Sequence, residues 1–220
     1  RPRANGVNAI IIRDDDQLIQ VELTDGNSEI LLANRNGRAI RFHESKVREM
    51  GRVSTGVRGM SLDDDNDEVV GMICMNQSSE NNVMVISENG YGKRSLLDDY
   101  RITNRGGKGV KTINVTDKTG ALVAMKSVTD DNDLVIINKS GITLRLKVAD
   151  VRVMGRATQG VRLINLEKRS DTIASVCCVD TDTDEDVETI QVEGQEIELY
   201  EDQVDATPET VNDEDNQNNE

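Results

Sequence analysis

The sequence repeats itself three times, and this repetition restricts the fold more than any other feature. Each repeat contains a run of Val, Ile, Leu or Met, a glycine turn, a short basic segment and a second glycine turn. The second glycine follows the first after 19 residues in every repeat, in the pairs Gly37 and Gly56, Gly90 and Gly109, and Gly141 and Gly160. Agreement at so many positions excludes chance and predicts one structural unit used three times.

The apolar runs are short and are separated by Asn-Gly, Ser-Gly and Asp-Gly turns, which is typical of β-strands. A further strand-like element, at 18–21, 69–72, 122–125 and 173–176, is predicted to begin successive units. No helical periodicity is long enough to predict a major helix. The predicted fold is all-β, with pinwheel-like or propeller-like blades of about 50 residues in three complete repeats plus partial ones, followed by a disordered acidic tail.

The net charge of −15 is unevenly distributed, and this divides the chain. Residues 180–220 hold 17 acidic residues and no Lys or Arg, whereas residues 1–179 hold 26 basic and 24 acidic residues. A segment with high like charge and little apolar content cannot offset the entropy of ordering. We therefore predict a β domain over residues 1–179 and an acidic, mostly disordered tail over residues 180–220.

Basic residues follow the repeat as well. Segments 29–62, 82–115 and 132–166 contain 19 of the 26 Lys and Arg residues. Three sets occupy equivalent positions: Arg41, Arg94 and Arg145; Arg52, Arg105 and Arg156; Arg58, Lys111 and Arg162. A charge run is usually only a solvated face, but this recurrence favours a stripe of cations along one rim of the stacked units, suited to binding a polyanion.

The chemistry of the turns favours the phosphate backbone of duplex DNA as this polyanion. Glycine-rich turns flanked by Arg and Lys present N–H groups and cations together, which suits phosphate oxygens. Only four aromatic residues, Phe42, Tyr91, Tyr100 and Tyr200, are available to stack on bases, which disfavours single-strand binding. Binding through the backbone would be largely independent of sequence. A propeller-like scaffold that binds an acidic protein partner stays open as the alternative.

The acidic tail has two interpretations. It is a solubilising extension, or it is an intramolecular DNA mimic whose tethered carboxylates compete with DNA phosphates for the basic rim. The second interpretation predicts that deletion of residues 180–220 tightens DNA binding, most clearly at low salt.

Three segments combine a glycine turn with flanking cations: Asn89-Gly90-Tyr91-Gly92-Lys93-Arg94, Arg105-Gly106-Gly107-Lys108-Gly109-Val110-Lys111, and Val153-Met154-Gly155-Arg156-Ala157-Thr158-Gln159-Gly160-Val161-Arg162. Over about residues 5–179, this combination resembles the C-terminal domain of DNA gyrase A. The hallmark box of that family is Gln-Arg-Arg-Gly-Gly-Lys-Gly, normally in the first blade. The segment 104–109 is similar but lacks the Gln and lies in a later repeat, so we expect the complete box upstream of Arg1. The corresponding domain of topoisomerase IV, a close relative, shares the blades.

The resemblance implies a β-pinwheel that wraps duplex DNA and so supports ATP-dependent negative supercoiling. The DNA-binding residues expected on this basis are Arg41, Arg52, Arg58, Lys93, Arg94, Arg105, Lys108, Lys111, Arg145, Arg156 and Arg162. In the family the DNA-cleaving tyrosine lies in the N-terminal region of gyrase A, and gyrase B hydrolyses ATP. We therefore expect no catalysis by this chain alone and no cofactor in it, with ATP and Mg bound elsewhere. The expected partners are duplex DNA, gyrase B and a second copy of gyrase A.

The sequence contains no complete calcium-binding loop. Asp180, Asp182 and Asp184 begin like a calcium loop, but Glu185 and Gln191 stand where such a loop needs Gly and Glu.

The cysteines form no CxxC pair and no disulfide framework, which fits a cytoplasmic location. The longest apolar runs are far shorter than the roughly 20 residues of a membrane span, so no membrane is expected.

Overall fold

A computed structural model describes residues 6–76, 82–166 and 171–180. The predicted acidic tail therefore lies outside the described residues, except for Asp180, which ends the last strand. The division between a β domain and a tail, the disorder of the tail and its competition with DNA stay predictions.

Eleven strands and three short 3-10 turns make up the secondary structure of the described residues, where no helix is long and apolar enough to cross a membrane. The strands are β1 (Ser28–Asn34), β2 (Arg38–His43), β3 (Val69–Asn76), β4 (Asn82–Ser87), β5 (Tyr91–Leu96), β6 (Val110–Lys111), β7 (Leu122–Val128), β8 (Asn132–Asn138), β9 (Thr143–Lys147), β10 (Val161–Arg162) and β11 (Ile173–Asp180). The 3-10 turns are Glu44–Lys46, Leu97–Asp99 and Val148–Asp150.

The strands form three antiparallel sheets, one for each repeat. Their strand orders are β3-β1-β2-β6 (blade 1), β10-β5-β4-β7 (blade 2) and β11-β8-β9 (blade 3). Each blade is built on a hairpin whose turn contains the first glycine of the repeat, and Gly37, Gly90 and Gly141 all have a positive φ there. Such a backbone suits glycine because it carries no Cβ. The all-β, blade-like fold predicted from the sequence is confirmed.

Blades 1 and 2 are each completed by a strand from the following repeat. Strand β6 belongs to the second repeat but pairs with β2 of blade 1, where Ala39 lies opposite Val110. Strand β10 belongs to the third repeat and pairs with β5 of blade 2, where Gly92 lies opposite Val161. A short segment of each following repeat therefore closes the blade before it, and we call these segments the closing loops (residues 101–111 and 152–162).

The strand-like elements expected to begin each unit have a different place. Strand β3 pairs with β1, β7 with β4 and β11 with β8, so each of them completes the sheet of the repeat before it. The prediction of a strand at 18–21 is wrong, because residues 6–27 contain no strand. The physical reason is the same pairing rule: among the described residues no strand pairs with 18–21, and Leu18, Ile19 and Val21 remain exposed.

The hydrophobic core lies between the blades. Alternate residues of β4 point to opposite faces of its sheet: Val83 and Val85 pack in a cluster with blade 1, whereas Met84 and Ile86 pack in a cluster with blade 3. Strand β3 packs against β7, and β7 packs against β11. The closing strands β6 and β10 therefore lie at the sheet edges opposite to β3 and β7.

Candidate nucleic-acid interface

Arg41 lies inside the protein and joins blade 1 to the second repeat. Its side chain is 9% exposed and forms an ion pair with Glu29, which is also buried. Its Nη1 donates hydrogen bonds to the main-chain oxygens of Leu97, at 2.8 Å, and Tyr100, at 3.0 Å. These two carbonyls belong to the 3-10 turn of the following repeat and to the residue that caps its end, so Arg41 holds that turn in place.

Arg94 has the same role one repeat later. It pairs with Asp130, and its guanidinium donates to the main-chain oxygens of Val151, at 2.5 Å, and Ala149, at 3.3 Å. Both Arg41 and Arg94 were expected to contact DNA, but their burial and their carbonyl partners leave no open face for a phosphate. Arg41 and Arg94 are therefore structural residues and do not belong to the predicted DNA-binding stripe.

Lys93 was also expected to contact DNA, but its side chain is completely buried. Its Nζ donates to the main-chain oxygen of Gly155 at 2.6 Å. Burial lowers the pKa of Lys93 from 10.5 to about 8, since removal from water disfavours the charged form. The neighbouring residues Lys93 and Arg94 therefore both bind main-chain oxygens of the third repeat.

Arg145, the third member of this set, remains accessible. Its side chain is about half exposed, and its Nε donates to Asp133 at 2.7 Å. Asp133 occupies the position that Glu29 occupies in the first repeat, so the same acid–base pair recurs with the acid buried and the arginine exposed. Arg145 stays a candidate phosphate contact.

The second predicted set contains two arginines that clamp one repeat to the repeat before it. Arg105 and Arg156, which we call the clamp arginines, are half-buried, and each donates to two main-chain oxygens of the preceding repeat. The acceptors are Lys46 (2.8 Å) and Arg58 (2.9 Å) for Arg105, and Asp99 (3.0 Å) and Lys111 (2.8 Å) for Arg156. Arg52, at the same position of the first repeat, is exposed.

The third predicted set is exposed in all three repeats. Arg58, Lys111 and Arg162 lie at the second glycine turns, and we call them the inner row. Lys111 and Arg162 form part of the closing strands β6 and β10. The guanidinium of Arg162 lies 5.5 Å from the ring centre of Tyr91 and donates to its hydroxyl at 2.9 and 3.2 Å, so its position is fixed while it remains exposed.

A fourth set was missed in the sequence analysis. Arg48, Arg101 and Arg152 lie 53 and 51 residues apart, like the glycines, and all three are exposed. We call them the outer row. The signal that identifies them is the same repeat spacing, in the segment between the two glycine turns.

Arg101 also contributes to the lining of a pocket. This pocket has a volume of about 260 Å³ and lies where the closing loop meets β2. Arg101, Lys108, Gly107 and Gly109 contribute to its lining. Lys108 is exposed and lies in the glycine turn that resembles the family's box, and its contact with DNA stays a prediction.

Asp63 neutralises part of this basic surface. Its carboxylate accepts from Nζ of Lys108 at 3.0 Å and from Nε of Arg38 at 3.1 Å. The hydrogen bond from Lys108 is the largest cause that holds the pKa of Asp63 below its usual value. The carboxylate therefore stays charged at neutral pH and binds both cations.

The site offers cations and hydrogen-bond donors for an anion. Among residues 6–76, 82–166 and 171–180, no group of three or more His, Cys, Asp or Glu side chains is placed to hold a metal ion. The hydroxyl of Tyr100 is buried and lies 2.5 Å from that of Thr112.

Comparison with known protein families decides the relationship. The family model of the DNA gyrase C-terminal domain, described as a β-propeller, matches residues 28–76, 81–129 and 132–180, one match for each repeat. The chain belongs to the DNA gyrase A C-terminal domain family. The resemblance inferred from the glycine turns is confirmed.

Individual members of this family agree. DNA gyrase A of Staphylococcus aureus strain MRSA252 is 45% identical over 191 residues, which cover 87% of this chain and 21% of the relative. Gyrase A of strain NCTC 8325 is 46% identical over 178 residues, covering 80% of this chain and 20% of the relative. The chain thus spans about a fifth of the length of these gyrase A proteins.

Solved structures match the fold. The C-terminal domain of a DNA topoisomerase IV has a TM-score of 0.74 at 25% identity, covering 80% of this chain and 54% of that domain. The C-terminal domain of a DNA gyrase A has a TM-score of 0.69 at 27% identity, covering 78% of this chain and 57% of that domain. These gyrase-family domains therefore share the blades with the chain described here.

Proposed function

We propose that this chain binds duplex DNA through the sugar–phosphate backbone, without sequence preference, and wraps it with one handedness. The observation that carries the proposal is the inner row, because Arg58, Lys111 and Arg162 are exposed at the same position of three successive repeats. A regular row of cations suits the regular phosphates of a duplex better than it suits one small ligand. Membership of the gyrase A C-terminal domain family supports the same function.

The placement of the aromatic residues supports backbone binding over base stacking. The three aromatic side chains within the described ranges, Phe42, Tyr91 and Tyr100, are 2%, 6% and 1% exposed. A protein that binds single strands needs aromatic faces on its surface. This surface instead carries guanidinium and ammonium groups, which contact phosphates irrespective of the bases.

In the complete enzyme the chain would present the wrapped DNA for strand passage and so support ATP-dependent negative supercoiling. DNA cleavage and ATP hydrolysis would be carried out by the rest of gyrase A and by gyrase B, with ATP and Mg bound there. The burial of the Tyr91 and Tyr100 side chains, which are 6% and 1% exposed, supports this division. The partners are then DNA, a second copy of gyrase A and gyrase B, in the cytoplasm.

A topological experiment tests this function. The 220-residue chain is bound to nicked plasmid, the nick is sealed with ligase, the protein is removed and the linking number is read. A shift in linking number that grows with bound protein supports chiral wrapping. Absence of any DNA binding would refute the proposal and would favour a scaffold that binds an acidic protein.

Binding without a shift would favour a second candidate, the equivalent domain of topoisomerase IV. The similarity to the solved topoisomerase IV domain, at a TM-score of 0.74, supports this alternative. DNA would then be held along the same rows without a net handed wrap.

A further inference from the structure

The structure separates two kinds of recurring arginine. Arg41 and Arg94, like the clamp arginines, recur because they donate to carbonyl groups of a neighbouring repeat. Their spacing therefore has an internal cause. A recurring arginine without such a cause has to be explained by something outside the protein.

The outer row lacks an internal cause. Arg48, Arg101 and Arg152 are all exposed, and none of their guanidinium groups has a hydrogen-bond acceptor or an ion-pair partner within the described ranges. Three unpaired cations at one repeat position add like charge to a surface that the inner row already makes basic. This costs stability by repulsion unless an anion is bound.

The closing loops place two members of each row along the same blade edges, Arg101 with Lys111 and Arg152 with Arg162. Next to Arg101, Ile102 pairs with Arg41 of β2, and Lys111 pairs with Arg38 of the same strand. The two contact points are three residues apart on β2, which corresponds to about 10 Å at the ordinary rise of a strand. Arg101 and Lys111 therefore flank one edge of blade 1, with Lys108 in the loop between them.

The same arrangement recurs at blade 2. Next to Arg152, Val153 pairs with Arg94 of β5, and Arg162 pairs with Tyr91 of that strand. The two cations again flank the edge of a blade. The contact points on β5 are again three residues apart, a backbone spacing of about 10 Å that exceeds the rise of about 3.4 Å between base pairs, so the two rows suit different phosphates.

We propose that the outer row, Arg48, Arg101 and Arg152, contacts phosphates of the bound duplex as a second line of cations beside the inner row. This inference rests on the proposed function. It identifies two binding residues on blade edges, Arg101 and Arg152, and a third, Arg48, at the same position of the first repeat. The outer row would supply charge that is free before binding, whereas Lys108 must first be released from Asp63.

The salt dependence of binding tests this inference. Binding of the 220-residue chain to a duplex of mixed sequence is measured at several salt concentrations, for the unaltered chain and for the triple variant R48Q, R101Q and R152Q. The slope of log K against log salt is negative, and each lost phosphate contact reduces its magnitude by about 0.9. The slope of the triple variant should therefore be smaller in magnitude by about 2–3. The charge-preserving triple variant R48K, R101K and R152K should retain most of it.

A matched control separates contact from net charge. Arg13, Lys139 and Lys147 are also exposed but lie outside the outer row and the closing loops. The triple variant R13Q, K139Q and K147Q removes the same charge and should keep the slope. An equal fall in both glutamine variants would mean a general charge effect and would overturn the inference.

The outcomes separate this inference from the proposed function. If the unaltered chain does not bind duplex DNA, the proposed function fails and the inference fails with it. If the unaltered chain binds, and R58Q, K111Q and R162Q lower the slope while the outer-row variant does not, the function stands and the inference is wrong. Thermal unfolding of each variant checks the fold, and the single variant R101Q replaces the triple variant if the latter unfolds.

Discussion

Arg105 and Arg156 make the same pair of contacts, one repeat apart. Each donates one hydrogen bond to the 3-10 turn of the preceding repeat and one to the residue at its second glycine turn. The contact is therefore part of the repeat unit itself. Periodic charge in such a protein can be structural, and burial and bonding have to be known before a charge is assigned to a ligand.

The clamp predicts a stability difference between two equivalent arginines. Replacement of Arg105 by Ala should lower the free energy of unfolding by about 1–2 kcal/mol, because two charge-assisted hydrogen bonds between repeats are lost. Replacement of Arg52 by Ala should change it by less than about 0.5 kcal/mol, since Arg52 is exposed. Urea denaturation of both variants measures the difference. Equal losses would show that the clamp does not stabilise the contact between repeats.

The second glycine turns offer another matched pair. Gly109 and Gly56 both have a positive φ, which strains any other residue. A Cβ on Gly109 would overlap the main-chain oxygen of Ala39, whereas a Cβ on Gly56 would meet nothing within 4 Å. We expect G56A to cost about 1 kcal/mol from the backbone alone, and G109A about 2–4 kcal/mol because strand β6 has to move. Thermal or urea unfolding decides, and similar losses would contradict the close approach of β6 to β2.

Lys93 predicts a pH dependence of stability. Its pKa is about 8 in the folded protein and 10.5 when unperturbed. Between these values the unfolded chain binds a proton that the folded protein does not, so the free energy of unfolding rises with pH. We expect Lys93 to contribute a rise of about 1.5 kcal/mol from pH 8 to pH 9.5. Burial raises the pKa of the Cys74 and Cys178 thiols, and their earlier ionisation in the unfolded chain opposes this rise. The contribution of Lys93 is therefore the difference between the unaltered chain and a variant without this lysine. Well below pH 8 Lys93 is charged in both states and contributes no slope.

The variant K93M should abolish this rise, because methionine fills the space without a titrating group. K139M changes an exposed lysine and should leave the rise intact. Urea denaturation at both pH values gives the comparison. A rise of equal size in K93M would assign the effect to another group. Measurements stay below pH 10, since burial raises the pKa of Tyr100 and its ionisation would lower stability at higher pH.

The repeat, the strands and the glycine turns could be predicted from the sequence because each of them is local. Alternating apolar residues define a strand, and Asn-Gly or Ser-Gly defines its turn. The exchange of strands between repeats could not be predicted, because it depends on which distant edge each closing loop meets. Without that exchange, residues 18–21 look equivalent to β3 although they have no strand to pair with.

The roles of the cations follow from the same exchange. In the sequence, Arg41 and Arg58 are both recurring arginines, yet one is buried by the next repeat and the other is exposed. One local signal was present: an acidic residue lies twelve positions before both Arg41 and Arg145, as Glu29 and Asp133. Such a pair on adjacent strands indicates a charge satisfied within the blade. The outer row had no such partner, and its spacing alone would have identified it.

Asp63 predicts that part of the DNA-binding surface is held back by the protein itself. Because its carboxylate binds both Lys108 and Arg38, the variant D63N should free two cations and tighten binding to duplex DNA. The gain should be largest at low salt and should shrink as salt screens the phosphates. Titration of a labelled duplex at several salt concentrations measures it.

Asp65 supplies the control for this prediction. It lies two residues from Asp63 in the same acidic loop and is exposed, and within the described ranges its carboxylate has no cationic partner. The variant D65N removes the same charge but frees no cation, so its effect on affinity should be clearly smaller than that of D63N. If the two variants tighten binding equally, only net charge matters, and displacement of Asp63 from Lys108 and Arg38 is no part of DNA binding. If D63N binds more tightly than D65N, the carboxylate occupies a position that a phosphate takes.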